Sequence, residues 1–197
     1  MVAMPTGVHI RDARQQLFDA AERVLLRDGA SALTSRAVTA EAGVAKGVLH
    51  RHFADFDAFL AELVQDRIKR VEDQSVTLRA SAGTGTVTGN LTAALTELFD
   101  PVAVAIVGLV IFRDELRARL GRGIPVLAEA TAMLAGYLTE ERAQGRIAAD
   151  ADVDSLALAL IGSGHLLFAD RAGRPARGDV GRVVETVIAD VVQRRLL

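Results

Sequence analysis

No cysteine occurs anywhere in the chain, which removes disulfides, thiolate chemistry and most structural zinc sites together and fits a reducing compartment. Tryptophan is absent too, and only 4 prolines interrupt 197 residues rich in alanine, leucine, valine and arginine. That balance favours helices over a sandwich or barrel. The strict alternation that marks a half-buried strand is missing throughout. The chain therefore reads as all-α, and its 50 % hydrophobic content is enough to bury a core. Long apolar runs are lacking as well. The most apolar stretch, Pro101 to Phe112, is too short to cross a bilayer, and the N-terminus shows no basic region followed by an apolar segment. No membrane partner is expected, and a cytoplasmic location is. With a net charge of −2 there is no general positive coat, so any nucleic-acid binding has to come from a local concentration of cations.

What is present is one stretch whose spacing specifies a task, Thr34 to Phe53, read T-S-R-A-V-T-A-E-A-G-V-A-K-G-V-L-H-R-H-F. A capping Thr/Ser pair, an apolar set at Val38 and Ala42, a glycine at 43 and a second short periodic run describe two helices joined by a tight turn. Gly43 can take the left-handed conformation such a turn needs, with Val44 plugging the angle. The second helix, roughly Ala45 to Phe53, turns Leu49 and Phe53 inward and leaves Lys46, Val48, Arg51 and His52 on other faces. The stretch carries Arg36, Lys46 and Arg51 against the single acid Glu41, with His50 and His52 beside them. Such a face fits DNA.

Around it the chain falls into an N-terminal arm and three parts. Residues 1–9 form a loose arm, followed by Arg11 and Arg14. Residues 10–54 hold a first helix, with Ile10, Ala13, Leu17, Ala21, Val24 and Leu25 at helical spacing and a stop at Gly29, packed across the two motif helices. The buried set of this three-helix unit is Leu17, Val24, Leu33, Val38, Val44, Leu49 and Phe53. Residues 55–80 form a connecting helix capped by Asp55 and running to about Leu78. Ser81 to Asn90, rich in Gly, Thr and Ser, reads as a flexible joint. Residues 81–197 then carry a helix from Leu91 to Phe99, one from Pro101 to Leu120 opened by Asp100 and Pro101, one from Pro125 to about Ala143, and two final helices. The segment Asp152 to Ala169 is apolar on both sides and needs covering on both. The last helix sets Val180, Val183, Val184, Val187, Ile188 and Val191 at i, i+3, i+4 spacing. Two such helices at the end of a chain point to a homodimer through a four-helix bundle.

Residues from about Arg11 to Val64 resemble the DNA-binding region of a TetR-family transcriptional regulator. The resemblance rests on the A-G-V-A-K-G-V-L-H-R-H-F run, the R-D-G stop of the first helix and the Asp55-capped helix that follows. It covers about a quarter of the chain at motif level; the remaining helices fit in number and order. It implies an N-terminal three-helix helix-turn-helix DNA-binding domain and a C-terminal helical ligand-binding and dimerisation domain. It further implies a repressor that leaves a palindromic double-stranded operator when a small, largely apolar effector of unknown identity binds. Under it, Thr34 and Arg36 meet phosphates or base edges, Lys46 sits on the DNA backbone, and Val48 touches a thymine methyl. Arg51 reaches a guanine or phosphate, and His52 meets the backbone. Three positions depart from the family's usual pattern: His50 stands for a phosphate-reaching Tyr, Ala45 for a capping Ser, and Phe56 for a Lys. Weaker operator affinity is the expectation. A helical small-molecule binder that has lost DNA binding is the alternative.

Phe99, Phe112, Met133, Tyr137, His165 and Phe168 are the residues expected to border an effector pocket. No paired carboxylate, metal-ligand cluster or nucleophile with its base stands at usable spacing, so no enzyme, catalytic residue, metal or cofactor is expected. Ser163 lacks the flanking glycines of a nucleophile elbow. The glycines at 83, 85 and 89 miss the dinucleotide spacing.

Overall fold

The computed structural model describes residues 10–121, 123–169 and 175–193, the side chains of residues 10–12 and 193 excepted. The N-terminal arm, the Arg11 side chain and part of the loop after Ala169 lie outside them. Among the described residues there are ten α-helices, a short 3-10 turn and no strand. The chain divides into two units, residues 1–63 and Val64–Leu197, with the division inside one helix.

The first unit holds α1 (Ile10–Asp28), the 3-10 turn Ala30–Ala32, α2 (Ser35–Glu41), α3 (Gly47–His52) and the start of α4 (Phe56–Ala80). Gly29 ends α1 as its position suggests, at φ +82°, and Asp55 Oδ1 accepts from the Ala58 N–H at the start of α4. Leu17, Val24, Leu33, Val38, Leu49 and Phe53 are buried as expected, while Val44 is only half-buried. The residue that spacing did not single out is Phe18. Its ring packs 5.8 Å from Phe53 and 5.6 Å from Phe59, which themselves meet edge to face at 5.0 Å. Aromatic contacts of this kind add about 0.5–1.5 kcal/mol each beyond area burial, so this trio anchors the end of α3.

The second unit continues α4 and adds α5 (Val87–Leu98), α6 (Pro101–Phe112), α7 (Asp114–Leu120), α8 (Pro125–Ala143), α9 (Val153–Ala169) and α10 (Arg177–Gln193). α9 packs on α6, α8 and α10, and α5 packs on α8 and α10. Val180, Val184, Ile188 and Val191 form the buried stripe of α10.

Two expectations are corrected by the structure. The helix expected over Pro101 to Leu120 breaks at Arg113, which is extended at φ −121° and ψ 96°. Asp114 and Glu115 favour a new helix N-terminus, Arg117 and Arg119 its end, and Arg117 Nη1 reaches back 2.8 Å to the Ile111 carbonyl left open at the end of α6. The Ser81 to Asn90 joint is a fastened turn, and α5 starts within it because Thr86 Oγ1 caps the Gly89 N–H at 3.0 Å. Within the single chain α9 is covered on one side only, Leu158 being 65 % exposed and Leu166 76 %, so the second covering its sequence calls for is not supplied by the chain's own described residues. No single helix among the described residues is long and apolar enough to cross a membrane.

Candidate nucleic-acid interface and ligand cleft

Each helix of the motif is held at its ends by identifiable groups. Thr34 Oγ1 accepts from the Ala37 N–H at 3.1 Å and caps α2. At the other end Gly43, at φ +68°, lets the Val44 N–H return to the Thr39 carbonyl (3.0 Å) and its own N–H to the Ala40 carbonyl (3.1 Å). This is a Schellman turn, and a side chain at 43 would be strained by the backbone angle alone, since nothing crowds the position. α3 starts at Gly47, two residues later than the spacing indicates, and no side chain caps it. Ala45 has no oxygen to offer and Gly47 is a poor helix former, which accounts for the short helix.

The helix α1 supplies what sequence reading missed. Gln16 Nε2 donates to the Ala42 carbonyl at 3.2 Å, at the end of α2, and Arg14 Nη1 donates to the His52 carbonyl at 3.1 Å, at the end of α3. Arg14 also pairs with Glu62 of α4, and its guanidinium lies 4.5 Å over the Phe53 ring. Both motif helices thus finish on a side chain of α1. Glu41, the one acid of the motif, is taken up by Arg23 (2.8 Å) and Arg27 (2.7 Å) of α1, whose hydrogen bonds hold its carboxyl below the usual carboxylate range.

Of the sequence-predicted contacts, Thr34, Arg36, Lys46, His50 and Arg51 are exposed, while Val48 and His52 are half-buried. Among the described residues Arg36, Lys46 and Arg51 form no ion pair, whereas the arginines of α1 at 14, 23 and 27 are all engaged. The motif therefore carries three cations available to an external anion, with its acid neutralised internally. That is the electrostatic requirement for holding a phosphate backbone.

In the second unit a polar knot fastens the 81–86 turn. Gly145, at φ +66°, ends α8 in another Schellman turn, the Arg146 N–H returning 2.9 Å to the Glu141 carbonyl. This folds the Arg146 side chain over the buried Glu141 carboxylate at 3.3 Å and sends its guanidinium to the carbonyls of Thr84 and Gly85 at 3.2 and 2.6 Å. Asn90 Nδ2 donates to the carbonyls of Ser81 and Thr84 and to the Tyr137 hydroxyl, the last at 3.0 Å. Burial, with the Glu141 hydrogen bond second, pushes the Tyr137 phenol well above its ordinary range.

Beside this knot lies a cleft of about 330 Å³ between α4, α5 and α8, bordered by Asp73, Gln74, Thr77, Leu78, Ser81, Asn90, Ala93, Ala94, Glu97 and Met133. Of the residues expected around an effector, Met133 lines this cleft and Tyr137 touches it through Asn90. Phe99, His165 and Phe168 form a separate cluster, with ring centroids 5.6 Å apart for Phe99 and Phe168 and 6.3 Å for Phe99 and His165. Gly164 makes room for it, since a Cβ there would stand 2.6 Å from Phe99 Cε2. Phe112, at 85 % exposure, stands outside both groups.

Comparison with known proteins places these features in context. Residues 17–63 match the family model described as bacterial regulatory proteins, tetR family. A stretch of 78 residues is 38 % identical to the HTH-type nicotine-responsive transcriptional repressor HdnoR of Paenarthrobacter nicotinovorans, covering 36 % of this chain and 40 % of that protein's length. Among solved structures, GusR of Salmonella enterica superposes with a TM-score of 0.73 at 15 % identity over 95 % of this chain and 98 % of that one. FadR of Bacillus subtilis in complex with stearoyl-CoA does so with 0.70 at 20 % over 89 % and 97 %, and a tetR-family protein of Mesorhizobium loti with 0.67 at 16 % over 95 % and 98 %.

Proposed function

This chain belongs to the tetR family of bacterial regulatory proteins, with the family's N-terminal domain on its all-helical fold, and from that premise we propose that it is a transcriptional repressor released from its operator by a small, largely apolar ligand. The family is regulatory rather than catalytic, which agrees with the lack of any catalytic grouping in the sequence. The observation that carries the reading is the exposed face of the motif, where Arg36, Lys46 and Arg51 form no ion pair among the described residues while Glu41 is bound internally. Arg36 and Lys46 hold phosphates, Val48 and Arg51 read base edges, and Thr34, His50 and His52 border the backbone. A second copy of the chain, joined through α9 and α10, supplies the other half-site of a palindrome.

The name of the Paenarthrobacter protein supports repression as the direction of control. The acyl-CoA of the FadR complex is a property of that protein, and the ligand here is read from the cleft itself. Ligand acts by linkage: if it favours the conformation whose reading heads are wrongly spaced, it weakens DNA binding by its differential affinity and by no more. α4 is the lever, since it runs from the Asp55 cap at the motif to the cleft-lining residues 73–78.

Mobility shifts and fluorescence anisotropy against the DNA flanking the chain's own gene test this. Lys46→Ala should weaken binding to all sequences alike and reduce the salt slope by about one, while Val48→Ala and Arg51→Ala should alter sequence preference. A full-length dimer that ignores that DNA even at low salt would rule the reading out.

A further inference from the structure

The cleft between α4, α5 and α8 has a chemical polarity of its own. Its apolar surface is Leu78, Ala93, Ala94 and Met133, with Leu78 and Met133 buried beneath it. Its neutral polar groups are Gln74, Thr77, Ser81 and Asn90, and Asn90 is already committed to the turn and to Tyr137. The charged groups at its edge are Asp73 of α4 and Glu97 of α5, and no basic side chain lines it. Among the described residues neither acid makes an ion pair, whereas Arg70 pairs with Asp66 and Arg146 with Glu141, and the Arg79 guanidinium lies against Gly136 of α8, outside the cleft lining.

Two exposed carboxylates, one from α4 and one from α5, border one concave apolar surface without counter-charge among the described residues, which disfavours an anionic head group there. A cation entering the cleft is attracted by both carboxylates and gains charge-assisted contacts where it meets them. We propose that this cleft takes a small organic cation, an amine protonated at neutral pH or a quaternary ammonium with an apolar body. The body lies against Met133, Leu78 and the two alanines, and the charge lies against Asp73 and Glu97. The volume suits a molecule of one or two rings and is too small for a long acyl chain with a nucleotide head. This deepens the effector reading given above and rests on it only for the consequence at the operator; the binding itself is separate.

Calorimetry on the full chain without DNA tests the assignment with three probes of similar shape: benzyltriethylammonium, neutral N,N-diethylbenzamide and anionic 4-tert-butylbenzoate. The cation is expected to bind most tightly. Asp73→Asn and Glu97→Gln should each weaken it roughly two- to fivefold, as befits partly screened charges, with the loss shrinking at high salt. The double variant should lose the preference for the cation while keeping its affinity for the neutral probe, which also shows that the cleft is intact. Equal or tighter binding of the neutral or anionic probe to the unaltered protein overturns the proposal. So does a cation affinity unchanged in the double variant, or no heat from the cation at millimolar concentration. Cation binding that leaves an operator complex undisturbed upholds the cleft assignment and counts against the repressor reading alone.

Discussion

Arg14 makes three kinds of contact at once, and each asks for a different property of guanidinium. Its planar fork donates to the His52 carbonyl and pairs with Glu62, while its face covers Phe53. A lysine at 14 can keep one of these, not all three. Arg14→Ala should therefore cost about 1–2 kcal/mol in urea unfolding and weaken operator binding several-fold, with the salt slope unchanged because no phosphate contact is removed. Arg14→Lys should fall between. A reduced salt slope in Arg14→Ala would instead make it a DNA contact. Glu41 gives the pH counterpart. Its folded-state pKa is held below the ordinary value of 4.5 by hydrogen bonds from Arg23 and Arg27, so the stability it contributes is present above that value. It is lost as pH falls through the folded pKa, because there the unfolded chain binds the extra proton first. Glu41→Gln should flatten this part of the acid limb of stability against pH while changing little of its shape above pH 5; an unaltered acid limb would show that the Arg23 and Arg27 contacts carry no such linkage.

At the scale of elements, what the sequence made legible is what neighbours in sequence decide. The glycine at 43 sits where a Schellman turn needs it, Asp55, Asp100 and Thr34 each accept the N–H three residues on, and the valine stripe of α10 faces inward. What was illegible depends on distant partners. The Gly/Thr-rich segment has the composition of a flexible joint, yet Arg146 and Glu141, some sixty residues away, fasten it. Arg14 and Gln16 point to carbonyls, which carry no sequence signature. The site divides the same way: the exposed motif residues follow from helical period, whereas the cleft acids become notable only once α4 and α5 face each other. Asp100 offers a test of an element held by both kinds of force. It caps α6 through the Ala103 N–H at 2.9 Å and is also the partner of Arg67, which is 4 % exposed. Asp100→Ala should cost about 3 kcal/mol or more, combining a lost cap with a stranded buried charge. Asp100→Asn keeps the cap and loses only the charge, so its cost should be clearly smaller. Equal costs in denaturant titrations would assign the whole effect to the charge.

For the whole molecule, the question is what covers α9. Leu158 and Leu166 stand two turns apart on one side of a helix whose other side is buried, which an isolated chain leaves in water. Burying each would return about 1.5–3 kcal/mol, and a twofold axis doubles the gain because every contact occurs twice. That symmetry is also what a palindrome demands: two reading heads must meet major grooves about one helical turn, roughly 34 Å, apart, and under the proposed function a single motif of this modest charge would make too few phosphate contacts to hold a site alone. Leu158→Glu together with Leu166→Glu should therefore yield monomers in sedimentation while leaving the helical circular dichroism of the chain in place, because both positions lie outside its own core. Operator affinity should fall to the level of non-specific binding in the same variant. If the double glutamate variant stays dimeric, the partner copy covers some other face; if it becomes monomeric yet binds the operator undiminished, the reading heads act singly and the palindromic expectation is lost.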